Sequence, residues 1–490
     1  MIKTSSPTIY LPALWAAMLT QAGIALARVG AGTTLPGRIA TKLCPTVLAQ
    51  LGAQLTVPAL MVTGTNGKTT TTGLIAHALA RHLEAHSANR AGVVSNVLGA
   101  NMKNGVISAL LAHTSLLGHL PDATTPVLEV DEASLKGIIA DVPTSRLVVT
   151  NLFRDQLDRY GELATTAQMI EAGIEASQCS DHDPTPAAQT ALILNADDPL
   201  VANMALLGKR VLCFGVDSVQ YGDVNHELPP LTVPLPQEVT TCPRTQAPLY
   251  YREQFYGHLG HYHSFDCGGF ERPRPQVEAR QVRLTPEGAS FQVRVDWEAF
   301  GDNVAPQNAG LSPEQCSVVL PMPGLFNVYN TLAAITALLD MGVAWQTILT
   351  SIADYHGVFG RAETRTMGGR TVRMLLIKNP VGATEVLRVV AGDPRARLCV
   401  LLNDNYADGR DVSWIWDAAF EWIPHDKTIV VGGTRAEDMA VRLKYAGVPE
   451  ALIHTVPGVK PALDTALAQC GPEETLYVLP TYTALLALRT

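Results

Sequence analysis

The segment from residue 63 to 70 has the residue types and order best suited to chemistry, reading Thr-Gly-Thr-Asn-Gly-Lys-Thr-Thr. An apolar run precedes it and a helical pattern follows, so its glycines stand in a strand-to-helix turn. Main-chain N–H groups of such a turn and the positive end of the helix dipole bind phosphate. The Lys68 ammonium would neutralise phosphate oxygens, and the Thr69 hydroxyl would bind Mg²⁺. We therefore predict a nucleoside triphosphate site formed by Gly64, Thr65, Asn66, Gly67, Lys68, Thr69 and Thr70.

The alternative is a glycine turn without a ligand. The generic phosphate-loop pattern requires a glycine at the position of Val62, so a strict pattern search misses this loop. The Gly-Lys-Thr-Thr sequence in its strand–loop–helix context favours the phosphate site. Glu129 ends another apolar run, where its carboxylate could reach a phosphate-bound Mg²⁺ or be a solvated strand end.

The elements that position this loop alternate between short apolar runs and helical patterns, which is typical of a parallel α/β sheet. A second alternating unit follows His356, and the rhythm breaks between Val224 and Gly310, where alternating stretches predict an inserted β-rich module. The predicted strands are Ala59–Thr63, Val127–Val130, Leu147–Thr150, Ala191–Leu194, Val211–Phe214, Arg373–Ile377, Leu398–Leu402, Thr428–Val431 and Thr475–Leu479. The predicted helices are Thr69–Leu83, Asn327–Met341, Thr384–Val390, Ala436–Tyr445 and Ala462–Gln469.

The chain of 490 residues is long enough for two or three domains. We expect an N-terminal helical segment over 1–50, packed on a central domain over 51–357, and a C-terminal Rossmann-like domain over 358–490. The insertion would span about 224–310, and a hinge would lie near Tyr355–Gly360, where two glycines separate the two periodic segments.

Composition narrows the class of protein. A hydrophobic fraction of 47% against 17% charged residues indicates a globular chain, and the net charge of -9 gives no global reason to bind nucleic acid. The eight scattered cysteines favour a reducing cytoplasm. The apolar stretch Leu11–Ala27 is interrupted by Thr20 and Gln21, so we interpret it as a buried or amphipathic helix rather than a membrane anchor.

The loop has the form used by Mur ligases and folylpolyglutamate synthases. Four further segments resemble MurT proteins, which are the ligase subunits of lipid II isoglutaminyl synthase: Ser95–Met102, Leu128–Ala133, Asn151–Glu162 and Leu402–Asp417. The resemblance covers nearly the whole chain. It implies an α/β fold with a Mur ligase P-loop-type central domain, an inserted degenerate zinc-ribbon module and a C-terminal Rossmann-like domain.

The resemblance also implies an activity. ATP and Mg²⁺ would activate the α-carboxylate of D-glutamate in the lipid II stem peptide, and ammonia would convert it to D-isoglutamine. Ammonia would come from a glutamine amidotransferase subunit resembling GatD, since no cysteine here stands in a nucleophile motif. The C-terminal domain would lend that partner an aspartate: Asp411 first, with Asp408 and Asp417 behind it. These acids could instead cap the local turn and helix.

Several site residues follow from the same resemblance. Glu129 matches the Mg²⁺-binding glutamate, Asn327 the asparagine that recognises adenine, Arg361 an interdomain arginine that reaches the nucleotide, and Lys378 a polar group near the phosphate. Asn327 could also be a helix N-cap, and either basic residue a surface charge. Gln156 replaces a histidine that helps to bind a second metal in most Mur ligases, which puts that metal in doubt.

The zinc ribbon of MurT proteins is incomplete in this sequence. Two of its four cysteines remain, Cys242 and Cys267, and Thr245 and Ser264 replace the others. Hydroxyls are poor Zn²⁺ ligands, so we predict a ribbon without zinc. Nearby histidines could complete a mixed site, and aromatic side chains would otherwise hold the module. These residues are His258, His261 and His263, and Tyr250, Tyr251, Phe255, Tyr256 and Tyr262.

Two alternatives stay open. An amino-acid-adding ligase would share the fold, but Gln156 and the absence of a lysine to carbamylate in Ala164–Ala176 argue against it. A non-catalytic nucleotide-binding scaffold would explain the lost cysteines, but the intact Lys68 and Glu129 oppose it. We expect a cytoplasmic protein, peripheral at most to the inner face of the membrane.

Overall fold

A computed structural model describes residues 11–12, 14–19, 34–86, 92–96, 100–155, 163–178, 190–208, 210–221, 238–266, 268–308, 311, 316–355, 357 and 361–488. Its strands are β1 Ala59–Thr63, β2 Val93–Ser95, β3 Thr125–Glu129, β4 Thr144–Val149, β5 Ala191–Asn195, β6 Val211–Val216, β7 Val219–Tyr221, β8 Tyr250–Tyr256, β9 Leu259–Ser264, β10 Phe270–Glu271, β11 Val277–Leu284, β12 Ala289–Val295, β13 Ser317–Leu320, β14 Arg361–Met367, β15 Arg370–Leu375, β16 Ala396–Leu401, β17 Ile429–Gly432, β18 Ile453–Thr455 and β19 Thr475–Pro480. Its α-helices are α1 Leu35–Leu43, α2 Val47–Gly52, α3 Lys68–His86, α4 Lys103–Leu111, α5 Leu135–Ile139, α6 Leu163–Gln178, α7 Pro199–Asn203, α8 Leu325–Asp340, α9 Trp345–Ala353, α10 Pro380–Ala391, α11 Ala436–Tyr445, α12 Val459–Gln469 and α13 Tyr482–Ala487.

The larger sheet follows the order β13-β12-β11-β6-β5-β4-β1-β3-β2, with β7 beside β11. Strands β1 to β6 are parallel to one another, and β11 is parallel to β6 and β7. Strand β12 is antiparallel to β11 and to β13. Helices cover both faces, so β1 is buried along its whole length: Leu60 and Val62 face the core under α3 and α8, and Met61 faces the core under α2 and α4. Burial on both faces explains the continuous apolar runs of the sequence.

The strands within the predicted insertion over about 224–310 divide between two sheets. Strands β8, β9 and β10 form a separate small antiparallel sheet, but β11 and β12 belong to the larger sheet. Alternation of apolar residues identifies a strand without telling which sheet it joins. Here Val277 and Phe291 pack into the core shared with α8, and burial in that core fixes their place.

Aromatic residues of the small sheet divide between two cores. Tyr251 and Tyr262 pack with Cys242, as we expected of a module held by aromatic side chains. Phe255 and Tyr256 instead belong to the main core of the larger sheet, so they connect the small sheet to it.

The C-terminal sheet has the order β14-β15-β19-β16-β17-β18, with β14 antiparallel and the other strands parallel. Helices α10 and α11 pack on one face, and α12 and α13 on the other. The predicted Rossmann-like alternation is confirmed. The predicted domain boundary at 357/358 and most of the predicted hinge lie beside or outside the described residues, so they stay predictions.

The N-terminal residues 14–19 are helical, and Leu14 and Ala17 are buried in the core beneath α1 and α2. The rest of the Leu11–Ala27 stretch lies outside the described residues, apart from residues 11 and 12. Among the described helices, none has both the length and the apolar character that crossing a bilayer requires.

Candidate active site

Two glycines shape the loop between β1 and α3. Gly64 and Gly67 have φ of 120° and 88°, a region that residues with a side chain rarely adopt. A Cβ on Gly64 would collide with Thr150, and a Cβ on Gly67 with the side chain of Asn330. The loop therefore has room for backbone alone at these two points.

The neighbouring strand end holds the loop in place. The N–H of Thr65 donates to the Asn151 carbonyl over 2.8 Å, and the N–H of Asn66 donates to the Asn151 side-chain oxygen over 2.9 Å. In this structure these two predicted ligand residues thus shape the loop, with their amides already bonded. The first N–H groups of α3, beginning at Lys68, have no acceptor within the helix and suit an anion.

The predicted magnesium ligands meet at the carboxyl ends of β1 and β3. The Thr69 hydroxyl donates to Glu129 Oε2 over 2.6 Å, and Asn101 donates to Glu129 Oε1 over 3.3 Å. Asn96 exchanges two hydrogen bonds with the main chain of Glu129, each 2.8 Å long. The structure therefore brings Thr69 and Glu129 together, as the sequence predicts.

Lys68 points back over the loop toward an acidic segment. Its ammonium lies 2.8 Å from Glu132 Oε1 and also donates to the carbonyls of Gly64 and Thr65. Burial opposes the charge on Lys68, but the carboxylates of Glu132, Asp131 and Glu129 together raise its pKa. Burial raises the pKa of Glu132, against the opposing effect of Lys68. A buried cation is thus held where an anion could replace the carboxylate.

The C-terminal domain touches the loop through Lys378 and Asn379. The Lys378 ammonium donates to the Thr65 carbonyl over 3.1 Å and pairs with Asp155. Asn379 donates to the side-chain oxygen of Asn66 over 3.0 Å, while its own oxygen caps α10 through the N–H of Gly382. Lys378 therefore lies beside the loop, and its role at the phosphate stays a prediction.

An open cleft next to these contacts lies between the two domains. Its wall includes Lys378 and all three predicted partner-assisting acids, Asp408, Asp411 and Asp417. Asp417 pairs with Arg154 over 2.7 Å. The exposed Asp411 accepts from Ser413 N over 2.8 Å, and that contact lowers its pKa.

Asp408 lines the same cleft but is largely committed to structure. Its carboxylate accepts from the main chain of Thr483 over 2.7 Å and from that of Asn405 over 3.2 Å. Burial raises the pKa of Asp408, and these donors oppose the rise. Of the three acids, Asp411 keeps the freest carboxylate.

Two further predicted nucleotide contacts have different outcomes. Asn327 is buried in the first turn of α8, where its side chain donates to the Pro323 carbonyl over 2.7 Å and accepts from Asn330 over 3.3 Å. Gly324 is the N-cap of this helix, so the alternative role of Asn327 as N-cap is wrong. Arg361 begins β14, and its side chain lies outside the described part of the structure, as does Gln156.

The ribbon remnant offers no described metal cluster. Cys242 is buried in the small core, while Cys267 lies outside the described residues. His261 Nε2 donates to the Val216 carbonyl over 2.9 Å, and His263 stacks on Tyr250. Among the described residues, no three histidine, cysteine or acidic side chains are placed to hold a metal.

The described residues fit ATP and Mg²⁺. The loop is a backbone cradle that a Cβ would fill, Lys68 supplies a buried cation, and Thr69 with Glu129 supplies hard oxygen ligands of the kind Mg²⁺ prefers. Such a site can transfer a phosphoryl group by positioning and charge stabilisation.

Sequence reasoning missed three residues that complete the loop: Glu132, Asn330 and Asn379. Glu132 follows β3 by three positions, in a segment already singled out, so its proximity to Lys68 could have been suspected. Asn330 and Asn379 stand in the segments singled out for Asn327 and Lys378, but they contact the loop from remote parts of the sequence.

Comparison with known proteins agrees with this geometry. Residues 376–485 match the family described as MurT ligase C-terminal, and residues 62–227 match the Mur ligase middle domain. The MurT subunit of lipid II isoglutaminyl synthase (glutamine-hydrolyzing) from Streptococcus pneumoniae is 35% identical over 95% of this chain and 93% of its own. The subunit of the same name from Staphylococcus aureus N315 is 33% identical over 86% of this chain and 85% of its own.

Solved structures share the fold. A pseudomurein peptide ligase type C from Methanothermus fervidus has a TM-score of 0.60 at 20% identity, covering 90% of this chain and 79% of its own. Mycobacterium tuberculosis folylpolyglutamate synthase complexed with ADP has a TM-score of 0.57 at 14% identity, covering 97% and 98%. The predicted α/β Mur ligase fold is confirmed, and the chain belongs to the MurT family of Mur ligases.

Proposed function

We propose that this chain is the ATP-consuming ligase subunit of a lipid II isoglutaminyl synthase. It converts the α-carboxylate of D-glutamate in the lipid II stem peptide to the amide of D-isoglutamine. The observation that carries the proposal is the intact constellation of Lys68, Thr69 and Glu129 in a chain 35% identical to a MurT subunit over 95% of its length.

The chemistry follows from the weakness of a carboxylate as an electrophile. Phosphoryl transfer from ATP turns one carboxylate oxygen into a leaving group, and ADP departs. Ammonia then attacks the carbonyl carbon, the C–O bond to phosphate breaks, and one proton is lost from nitrogen. Lys68 would stabilise the charge that moves between phosphates, and bound Mg²⁺ would neutralise it further.

Lys378 is the residue of the C-terminal domain that we assign to the acyl centre. Lys378 lies between the loop carbonyl of Thr65 and the carboxylate of Asp155, at the edge of the interdomain cleft. There it can orient a phosphorylated carboxylate against the nucleotide site. Arg361 and Asn327 stay proposals for the nucleotide tail and the adenine base.

Ammonia comes from a second subunit, a glutamine amidotransferase of the GatD type. The described cysteines of this chain are buried free thiols, and burial raises the pKa of Cys213 and of Cys399 to about 12. Such thiols are poor nucleophiles. Asp411, exposed beside the cleft, would orient the partner's catalytic imidazole. We place the complex in the cytoplasm, acting on lipid II at the membrane surface.

The experiment is amidation of lipid II with ATP, Mg²⁺, glutamine and the partner subunit. Wild type should replace the stem-peptide hydroxyl by an amino group, as seen by mass spectrometry, and Lys68→Ala should lower the rate at least about 100-fold. Lys136→Ala, at an exposed lysine, is the matched control and should keep the wild-type rate.

The alternatives predict different products. A mass gain of one amino-acid residue would identify an amino-acid-adding ligase, and an unchanged substrate would indicate a nucleotide-binding scaffold. Either result with wild type contradicts the proposed amidation.

A further inference from the structure

His258 occupies an unusual place between the small sheet and the active site. It lies in the turn between β8 and β9 and is fully buried. Its Nε2 is 3.4 Å from Asp198 Oδ1, and its Nδ1 is 3.9 Å from Glu238 Oε2. Within the described part of the chain, neither ring nitrogen has a hydrogen-bond partner. A buried imidazole thus separates two buried carboxylates.

Both carboxylates also hold the loop that follows β4. Asp198 Oδ2 accepts from the N–H of Leu152 over 2.8 Å, and Glu238 Oε2 accepts from the N–H of Arg154 over 2.9 Å. The His258 ring lies 5.0 Å from the ring of Phe153, between those two amides. His258 therefore contacts the Phe153 ring directly and reaches Leu152 and Arg154 through Asp198 and Glu238.

The far side of the same loop forms the active site. The N–H of Phe153 donates to the Thr65 hydroxyl over 3.0 Å, and Thr65 belongs to the phosphate loop. Asp155 binds Lys378, which reaches across from the C-terminal domain to the Thr65 carbonyl. Residues 152–155 are thus held between the small sheet on one side and the phosphate loop with Lys378 on the other.

Charge explains why a histidine suits this position. Burial raises the pKa of Glu238, and His258 opposes that rise while Asp198 adds to it. Two buried carboxylates repel each other unless a cation or a donor stands between them. Phe or Leu would fill the same space but would leave both carboxylates without a polar nitrogen beside them.

We propose that His258 is a positioning residue of the amidation site: through Asp198 and Glu238 it fixes the main chain of residues 152–154, and so holds Asp155 against Lys378. The inference rests on the proposed function. It gives the small sheet a role in catalysis that needs no zinc.

The test compares His258→Leu with His263→Leu in the complex with its partner. His263 lies on the same small sheet but stacks on Tyr250 and meets Phe265 edge-on, away from the loop. His258→Leu should lower kcat for amidation about tenfold, since small displacements of catalytic groups have effects of this order. Its KM for ATP should stay within about threefold of wild type, because Asn151 and the glycines hold the phosphate loop independently. His263→Leu should leave both constants unchanged.

A double-mutant cycle with Lys378→Ala separates positioning from general damage. If His258 acts through the Asp155–Lys378 pair, His258→Leu should cause less than about a twofold further loss in the Lys378→Ala background. Hydrogen exchange of a peptide covering residues 150–155 should be faster in His258→Leu than in His263→Leu. His258→Gln, which keeps one donor, should lie between wild type and His258→Leu, and it decides the matter if His258→Leu does not fold.

An unchanged kcat in both His258 variants overturns the inference. It is also overturned if the losses of activity from His258→Leu and Lys378→Ala multiply in the double variant, or if hydrogen exchange of residues 150–155 does not change. Absence of amidation by wild type contradicts the proposed function instead. The exchange experiment needs no activity, so it still tests the contact of His258 with the loop in that case.

Discussion

At the scale of single residues, the site is organised by competition for the Lys68 ammonium. Protein oxygens from Gly64, Thr65 and Glu132 surround it in this structure. A triphosphate would offer the same ammonium stronger negative charge, so the carboxylate of Glu132 and the nucleotide compete for one cation.

Glu132→Gln should therefore bind ATP more tightly. Removing the carboxylate takes away both a competitor and a repulsive charge, and relief of about 1 kcal/mol corresponds to roughly a fivefold lower Kd. Isothermal titration with a non-hydrolysable ATP analogue measures it. Glu298→Gln, at an exposed glutamate, is the control and should not change Kd. Weaker binding by Glu132→Gln would show that the carboxylate supports the nucleotide site instead.

Thr69→Val should raise the Mg²⁺ concentration needed for half-maximal ATP hydrolysis by about tenfold, because one hydroxyl ligand and its bond to Glu129 are lost. The matched control is Thr72→Val, one helical turn further along α3. The Thr72 hydroxyl is buried without a hydrogen-bond partner in the described residues, so its removal should be harmless. Equal Mg²⁺ dependence of the two variants would remove Thr69 from the metal site.

Residues near the loop in sequence could be predicted, and residues brought to it by folding could not. Thr69 and Glu129 follow strands whose carboxyl ends must meet in a parallel sheet, so their proximity was implied by the pattern. Asn379 reaches Asn66 across 313 positions, and no local pattern announces such a pair. The Arg361 side chain lies outside the described part of the structure, so its role stays a prediction.

At the scale of elements, long buried strands were predictable because their apolar runs are continuous. β1 was predicted to the residue, and β3 to β6 to within three residues of each end. The short strands β2 and β18, of three residues each, carry too little periodicity to distinguish from loops. β14 lies at the edge of its sheet and consists mostly of polar residues, so no apolar run in the sequence indicated a strand there.

The three arginines around Glu278 of β11 lead to a prediction about stability at this scale. Burial alone would raise the pKa of Glu278, but Arg294, Arg272 and Arg280 together lower it. Its carboxylate lies 3.0 Å from Arg294 Nε and 3.0 Å from Arg280 Nη2. A lowered folded-state pKa means that the stabilisation is complete above the ordinary pKa of 4.5 and is lost as pH falls below it.

Glu278→Gln should accordingly be less stable than wild type at pH 7 by about 1–3 kcal/mol, because three arginines lose a buried partner. The difference should shrink as pH falls below 4.5, where wild type takes up the proton that the variant lacks. Thermal unfolding between pH 7 and pH 3.5 measures this, with Glu298→Gln as the surface control. A difference that stays constant with pH would rule out the linkage.

At the scale of the whole molecule, a few polar pairs connect the two domains. Lys378 meets Asp155, Asn379 meets Asn66, and Arg154 meets Asp417, all beside one cleft. The sequence predicted two α/β units and a site between them, but their arrangement depends on side chains more than 200 positions apart. Such pairs leave no periodic trace in the sequence.

The cleft lies between the proposed acyl centre, which consumes ammonia, and the acids that would assist the partner subunit. One variant should therefore separate glutamine hydrolysis in the partner from amide formation in this chain. Asp411→Asn keeps the size and the bond to Ser413 but removes the charge that would stabilise an imidazolium in the partner. With glutamine as nitrogen source its amidation rate should fall at least about tenfold. With ammonium chloride at pH 8.5 replacing glutamine, its rate should equal that of wild type, because free ammonia reaches the acyl centre without the partner's chemistry.

Asp426→Asn, an exposed aspartate of the same domain, should behave as wild type with both sources. Equal losses with glutamine and with ammonia would place Asp411 in the ligase reaction itself, and no loss with either would return it to the role of a turn cap.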